Sequence, residues 1–200
     1  GFGRAQRQLG QIAEPEPIPS THHSLKILLD PIARRITVED TISFPEELRA
    51  SSKTFELNNN LIISENSGSL QQLSNNVSQE NIGINATGGL AATTNEYSLT
   101  LPANNNGQAF FAYSGSIYDL AEQSSPEYAQ SFSETSGIIG EQGVYLNHAS
   151  AWVPIFDNGL VTFDLEVEFA DTASTWKVVS QGDRNGENAW VTHDPRKRSF

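Results

Sequence analysis

From Val161 to Phe169 the chain alternates: Val161, Phe163, Leu165, Val167 and Phe169 are apolar, and Asp164, Glu166 and Glu168 are charged between them. A period of two predicts a strand with one dry face and one wet face. The same pattern runs from Ile36 to Phe44, where Ile36, Val38, Ile42 and Phe44 alternate with Thr37, Glu39, Thr41 and Ser43. Asp40 falls on the apolar side and is expected near a sheet edge. Ser24 to Leu29 reads as the preceding strand, and Asp30-Pro31 opens a turn with proline presetting φ. Residues 24–44 therefore predict an antiparallel hairpin. Shorter strands are expected at 54–57 and 61–63. A second hairpin is expected over 96–113, where Pro102 and Asn104-Asn105-Asn106-Gly107 signal a turn. Trp152, Pro154 and Phe156 stand at the start of a strand, Trp176, Val178 and Val179 begin another, and 189–192 is a last short candidate. About eight short alternating segments, with no long helical period, predict an all-β, antiparallel two-sheet sandwich.

The segments between have other characters. Residues 1–23 are polar and end in Glu14-Pro15-Glu16-Pro17-Ile18-Pro19, a density of proline that predicts an extended arm or linker. Residues 68–95 are rich in Asn, Ser, Gly and Thr, with short apolar pulses that suit edge strands around polar turns. Residues 116–140 read as a long inserted loop, with Ile117 and Leu120 in a helical turn and Tyr128, Phe132 and Ile138 as anchors. Loops of this length usually serve a partner, a lid or an interface. The expected organisation is an arm over 1–23, a β-domain over 24–182 and a charged C-terminal segment over 183–200.

A net charge of −12 makes nucleic acid and anionic lipid poor partners. The basic cluster Arg196, Lys197 and Arg198 reads as a solvated end. With no cysteine, disulfides, thiolate metal sites and a cysteine nucleophile are excluded. No apolar run approaches the roughly 20 residues that span a bilayer. A chain that opens on Gly1 and contains no methionine is expected to be a processed or recombinant piece, in which a removed signal peptide would leave no trace.

No complete catalytic apparatus is legible. His22, His23, His148 and His193 include no pair at the i, i+4 spacing that holds zinc on a helix face. His22 and His23 are neighbours in extended chain, point oppositely and are expected to be structural or solvated. His148, with Glu141, Asn147 and Asp157 nearby, is the one mixed acid and imidazole group. No serine stands in a nucleophile elbow. Asn76-Val77-Ser78 and Asn85-Ala86-Thr87 match the glycosylation sequon, as chance matches do in so Asn-rich a chain.

One order of motifs carries a resemblance. Tyr113-Ser114-Gly115 is followed by Gly143-Val144-Tyr145-Leu146, then Trp152-Val153-Pro154-Ile155-Phe156-Asp157, the strand at 161–169, and Trp176 leading to Val179-Ser180-Gln181-Gly182. This resembles the N-terminal β-domain of the aminopeptidase N family of gluzincin zinc metallopeptidases, over residues 22–182 and most specifically 143–182. The opening SLKILLDPIARRITVEDTISF is similar to that domain's first hairpin. The resemblance implies a saddle-shaped β-domain, itself non-catalytic, that packs on a catalytic domain of the same chain and walls its active-site cleft. Zinc and peptide substrate would belong to that full-length protein. The family's His-Glu-x-x-His zinc motif and Gly-x-Met-Glu-Asn substrate motif are missing here. The family's Gln or Glu that holds the substrate's amino group falls near Gly143, with Glu141 and Gln142 beside it, and the family's paired arginines are replaced by Ser150 and Ala151. The cleft-facing candidates are Glu141, Gln142, Tyr145, Asn147 and His148, with no catalytic or metal-binding residue expected in the chain. A free-standing β-sandwich binding or adhesion module of an exported protein is the alternative, and an autonomous hydrolase a third reading. A His-Glu-x-x-His encoded downstream of Phe200 would favour the first; repeated sandwich modules would favour the second.

Overall fold

The alternation in the first half of the chain becomes a hairpin. Strand β1 is Thr21–Asp30 and β2 is Arg35–Ser43, in register from His22 opposite Ser43 to Asp30 opposite Arg35. The computed structural model describes residues 20–49, 52–78, 93–117, 137–140, 143–146, 150–156, 160–170, 180, 183–186 and 189–192. Asp30 Oδ1 accepts from the Ala33 N–H at 3.0 Å, and Arg34 takes a left-handed φ of 58°, which closes the turn. The strand starts at Thr21 rather than Ser24, because both histidines fit the pleat.

The other strands are β3 (Ser52–Asn58), β4 (Leu61–Asn66), β5 (Ser69–Ser78), β6 (Thr93–Thr100), β7 (Gln108–Gly115), β8 (Gly137–Gly140), β9 (Gly143–Leu146), β10 (Ile155–Phe156), β11 (Val161–Phe169), β12 (Asp183–Gly186) and β13 (Ala189–Val191). They form a seven-stranded sheet in the order β12-β13-β11-β1-β2-β7-β4 and a four-stranded sheet in the order β10-β3-β6-β5. β8 and β9 make a separate two-stranded hairpin. The chain is thus all-β with two packed sheets, as expected. One pairing departs from the antiparallel rule: β1 and β11 run parallel, Leu25 opposite Leu165. On the wet face of this pair Lys26 lies between Glu39 and Glu166, opposite charges that suit neighbouring strands.

The hairpin expected over 96–113 is not formed. β6 pairs with β3 and β5 in the small sheet, whereas β7 pairs with β2 and β4 in the large one. The turn signal is real. Asn105 N donates to Pro102 O at 3.2 Å, Gly107 N to Asn105 Oδ1 at 2.6 Å, and Asn106 and Gly107 are both left-handed. Yet the turn carries the chain from one sheet to the other. Alternation says which face of each strand is wet, not which strand lies beside it. The chain also changes sheets at 59–60 and 67–68. These crossings are tight: a side chain on Gly115 would run into the Asn60 carbonyl, and one on Gly68 into the Thr100 carbonyl.

The core lies between the two sheets. Leu25, Ile27, Ile36, Val38, Ile42, Phe111, Phe163 and Leu165 come from the large sheet, Phe55, Leu57 and Leu99 from the small one. Phe55 is the junction: its ring lies 5.2 Å from those of Tyr97, Phe111 and Phe156, so it touches both sheets and β10. Trp152, three residues before β10, is fully buried. Strand candidates at 176–179 and most of the 116–140 loop lie outside the described residues. At the base of that loop, Ile139 N donates to Ile117 O at 2.9 Å, and both side chains are buried.

Candidate functional site

The segment 143–156, the first part of the stretch 143–182 where the sequence resemblance is most specific, is held at three places. β9 pairs with β8, Val144 opposite Ile139, and Leu146 is buried at its end. β10 pairs with β3, Ile155 opposite Glu56 and Phe156 opposite Phe55. Between them Asn58 donates to the Ser150 carbonyl through its side-chain amide and to the Ala151 carbonyl through its backbone N–H, both at 2.8 Å. Ser150, Ala151, Trp152 and Val153 are all buried. Of the candidate cleft residues, Tyr145 stands on β9 opposite Ile138. Glu141, Gln142, Asn147 and His148 lie outside the described residues. The structure places the anchors on either side of 147–149, at Leu146 and Ser150.

Two titratable groupings appear that the expected strands do not include. The first is His23 with Asp40. Asp40 is not at an edge: β2 lies between β1 and β7, and Asp40 faces the core with no solvent exposure. It is tolerated there because His23 sits on the same face of β1, with Nδ1 2.6 Å from Asp40 Oδ2. His23 pairs with Ile42 and Leu25 with Asp40, so the imidazole and carboxylate are diagonal neighbours. The remaining polar atoms, His23 Nε2 and Asp40 Oδ1, are buried with no hydrogen-bond partner among the described residues. An Asp–His pair can serve a nucleophile, but this one is sealed in the core, beyond the reach of substrate. Its neighbour His22 faces outward, as adjacent strand residues must, with Nδ1 2.7 Å from Thr162 Oγ1 and Nε2 3.3 Å from Asp164 Oδ2.

The second grouping is Glu56 with Glu96, directly opposite each other on β3 and β6. Burial, and then the charge of Glu96, push the Glu56 carboxyl above its usual range, against a hydrogen bond from Thr94 that lowers it. A carboxyl whose folded pKa is raised helps the fold only while protonated. That contribution is complete below the unfolded pKa and is lost as pH rises through the folded one. Glu56→Gln is therefore expected to be more stable than wild type at about pH 7, with the difference vanishing below about pH 4. Thermal unfolding across that range checks this; a pH-independent difference would refute it.

Among the described residues no three His, Asp or Glu side chains come together as a metal-holding group, so they do not fit a zinc site. No helix among them is long and apolar enough to cross a membrane.

No protein-family model matches the chain, and no curated protein matches it. Solved structures do. Native yeast LTA4 hydrolase is similar with a TM-score of 0.50 and 13% identity, over 98% of this chain and 31% of that one. Legionella pneumophila aminopeptidase A, solved with aspartic acid, gives a TM-score of 0.49 and 10% identity, over 95% of this chain and 21% of that one. The chain thus spans less than a third of the length of either. The native yeast structure shows that the two-sheet β-fold described above is also the fold of one part of a longer hydrolase chain.

Proposed function

We propose that this chain is the non-catalytic N-terminal β-domain of a zinc-dependent peptidase of the aminopeptidase N kind. It packs one sheet on the catalytic domain and walls the active-site cleft with the segment that carries Glu141, Gln142, Tyr145, Asn147 and His148. Zinc and the peptide bond to be cut belong to the catalytic domain. The observation that carries this reading is the fold correspondence with yeast LTA4 hydrolase, over 98% of this chain but 31% of that one. The motif order from Tyr113 to Gly182 supports it independently.

The test is made on the full-length protein that the gene encodes. It is expected to contain a His-Glu-x-x-His motif after Phe200, to bind zinc, and to release amino-terminal residues from aminoacyl amides in a chelator-sensitive way. In that protein Glu141→Ala is expected to raise KM about tenfold, as the loss of one charge-assisted hydrogen bond to substrate would. Unchanged kinetics would remove Glu141 from the cleft, and a coding sequence with no zinc motif would overturn the whole reading.

A further inference from the structure

The outermost strands of a sheet carry unpaired N–H and C=O groups, and folded proteins blunt them with charge, proline, bulges or shortness. Among the described residues, four strands end the two packed sheets: β12, β4, β10 and β5. β12 is four residues long, carries Asp183 and Arg184, and shifts register between Arg184 and Gly186. β10 has two residues. β5 has ten, but shifts register between Gln72 and Ser74 and again between Ser74 and Val77. β4 is blunted only in its second half, by the shift between Ile63 and Glu65 and by the Glu65 charge. Its first half, Leu61-Ile62-Ile63, has no charge and no proline, and keeps a regular register with Gly115, Ser114 and Tyr113.

This open half also carries the most exposed large hydrophobic side chain among the described residues, Ile62 at 73%. Ile62 lies opposite Ser114, Ser114 opposite Thr37, and Thr37 opposite Leu28, which is itself exposed. The wet face of the large sheet thus bears an uncharged stripe across four strands. Glu168, opposite Leu28, bounds it on one side, and at the other it runs out at the β4 edge.

We infer that this edge pairs with the same edge of a second copy of the chain, antiparallel about a two-fold axis at Ile62. Leu61 then lies opposite Ile63 of the second copy, and the two Ile62 side chains face each other on the wet face. A second copy fits because the apolar triplet is its own complement and the two uncharged stripes join end to end. The charges agree with this register. Glu65 falls opposite Asn59, and the two Glu65 positions stand six residues apart along the strands, about 20 Å, beyond the Debye length of about 8 Å at physiological salt. An axis at Glu65 would instead set like charges face to face. The net charge of −12 on each copy opposes approach at long range, so the pairing strengthens with salt.

The test uses the full-length protein that the gene encodes, sedimented over a range of concentrations. A reversible dimer is expected, tightening at least about threefold between about 0.05 and 0.5 M NaCl. Amide exchange at Leu61, Ile62 and Ile63 should slow as concentration rises, while that at 69–72 on the β5 edge stays constant. Ile62→Lys sets two ammonium groups opposite each other and should weaken the dimer at least about tenfold, whereas Ile62→Val should keep it. At so exposed a site neither change should disturb folding. A protein still monomeric at about 1 mM in high salt would overturn the inference. So would a dimer that Ile62→Lys leaves intact, since it would use another surface. Amides at 61–63 protected equally at every concentration would overturn it as well, because another segment of the same chain would then fill the edge. The two wild-type measurements decide without either variant.

Discussion

Replacing Asp40 with alanine is expected to lower the unfolding free energy of this chain by roughly 3–5 kcal/mol, the usual cost of removing one member of a buried pair. The reason lies in what remains. His23 is 1% exposed, and its ring has one hydrogen-bond partner among the described residues, Asp40 Oδ2. Without it both ring nitrogens are stranded between Phe163, Ile42 and Leu25, buried away from bulk solvent. Domains of this size hold a margin of only about 5–15 kcal/mol, so the loss should be plain as a lower midpoint in urea. Asp40→Asn keeps an acceptor toward His23 and should cost only about 1–2 kcal/mol. His23→Leu with Asp40→Leu removes the stranded groups together. It should be less damaging than the sum of the single changes, with a coupling of about 1–3 kcal/mol. A wild-type midpoint for Asp40→Ala would show that the pair is not what makes this polar core position tolerable.

That pair also shows how the sequence informs and where it stops. Period two at 36–44 and 161–169 was enough for the fold class, because a half-buried sheet imprints its wet and dry faces directly on residue order. The same period left Asp40 looking like an edge residue, since a lone carboxylate in an apolar row is costly to bury. Its partner was within reach. Extending the first strand back to His23 and pairing it across the turn at 31–34 puts the imidazole diagonal to Asp40. Other features had no local signature. β1 finds β11 more than a hundred residues away, as the 140-residue separation of His22 and Thr162 shows. The change of sheet between β6 and β7 hides inside a turn that would equally well close a hairpin. Asn58 is the first of three consecutive asparagines, and nothing near it in sequence announces Ser150.

The sheet changes also decide what holds the 150–151 segment. β3 leaves the small sheet at Asn58, and the next strand, β4, belongs to the large one. The residue that clamps the 150–151 segment therefore sits at a joint between the layers, where a tight turn and Gly115 already restrict the backbone. A clamp on such a joint has a rigid base, which a surface loop would not give.

Phe55→Ala is the second change expected to have a large effect, about 3–5 kcal/mol, because it opens a cavity where three other rings meet. Phe55 is 1% exposed, and its ring touches Tyr97 within its own sheet, Phe111 across the core and Phe156 on β10. The rings cannot close over a void this size without moving one sheet toward the other, and packed interiors resist that. Phe55→Leu fills much of the space and should cost only about 1–2 kcal/mol. Leu28→Ala on the wet face, where Leu28 is 43% exposed, should change stability by less than about 0.5 kcal/mol. The Phe55→Ala cavity should also loosen β10, since Phe156 meets Phe55 through both backbone pairing and ring contact. Amide exchange at Ile155 and Phe156 should then rise more than at β1, β2 and β11. Equal acceleration in all of these strands would show that β10 opens only with the whole domain, and a Phe55→Ala midpoint near that of Leu28→Ala would show that the cluster is not the join between the sheets.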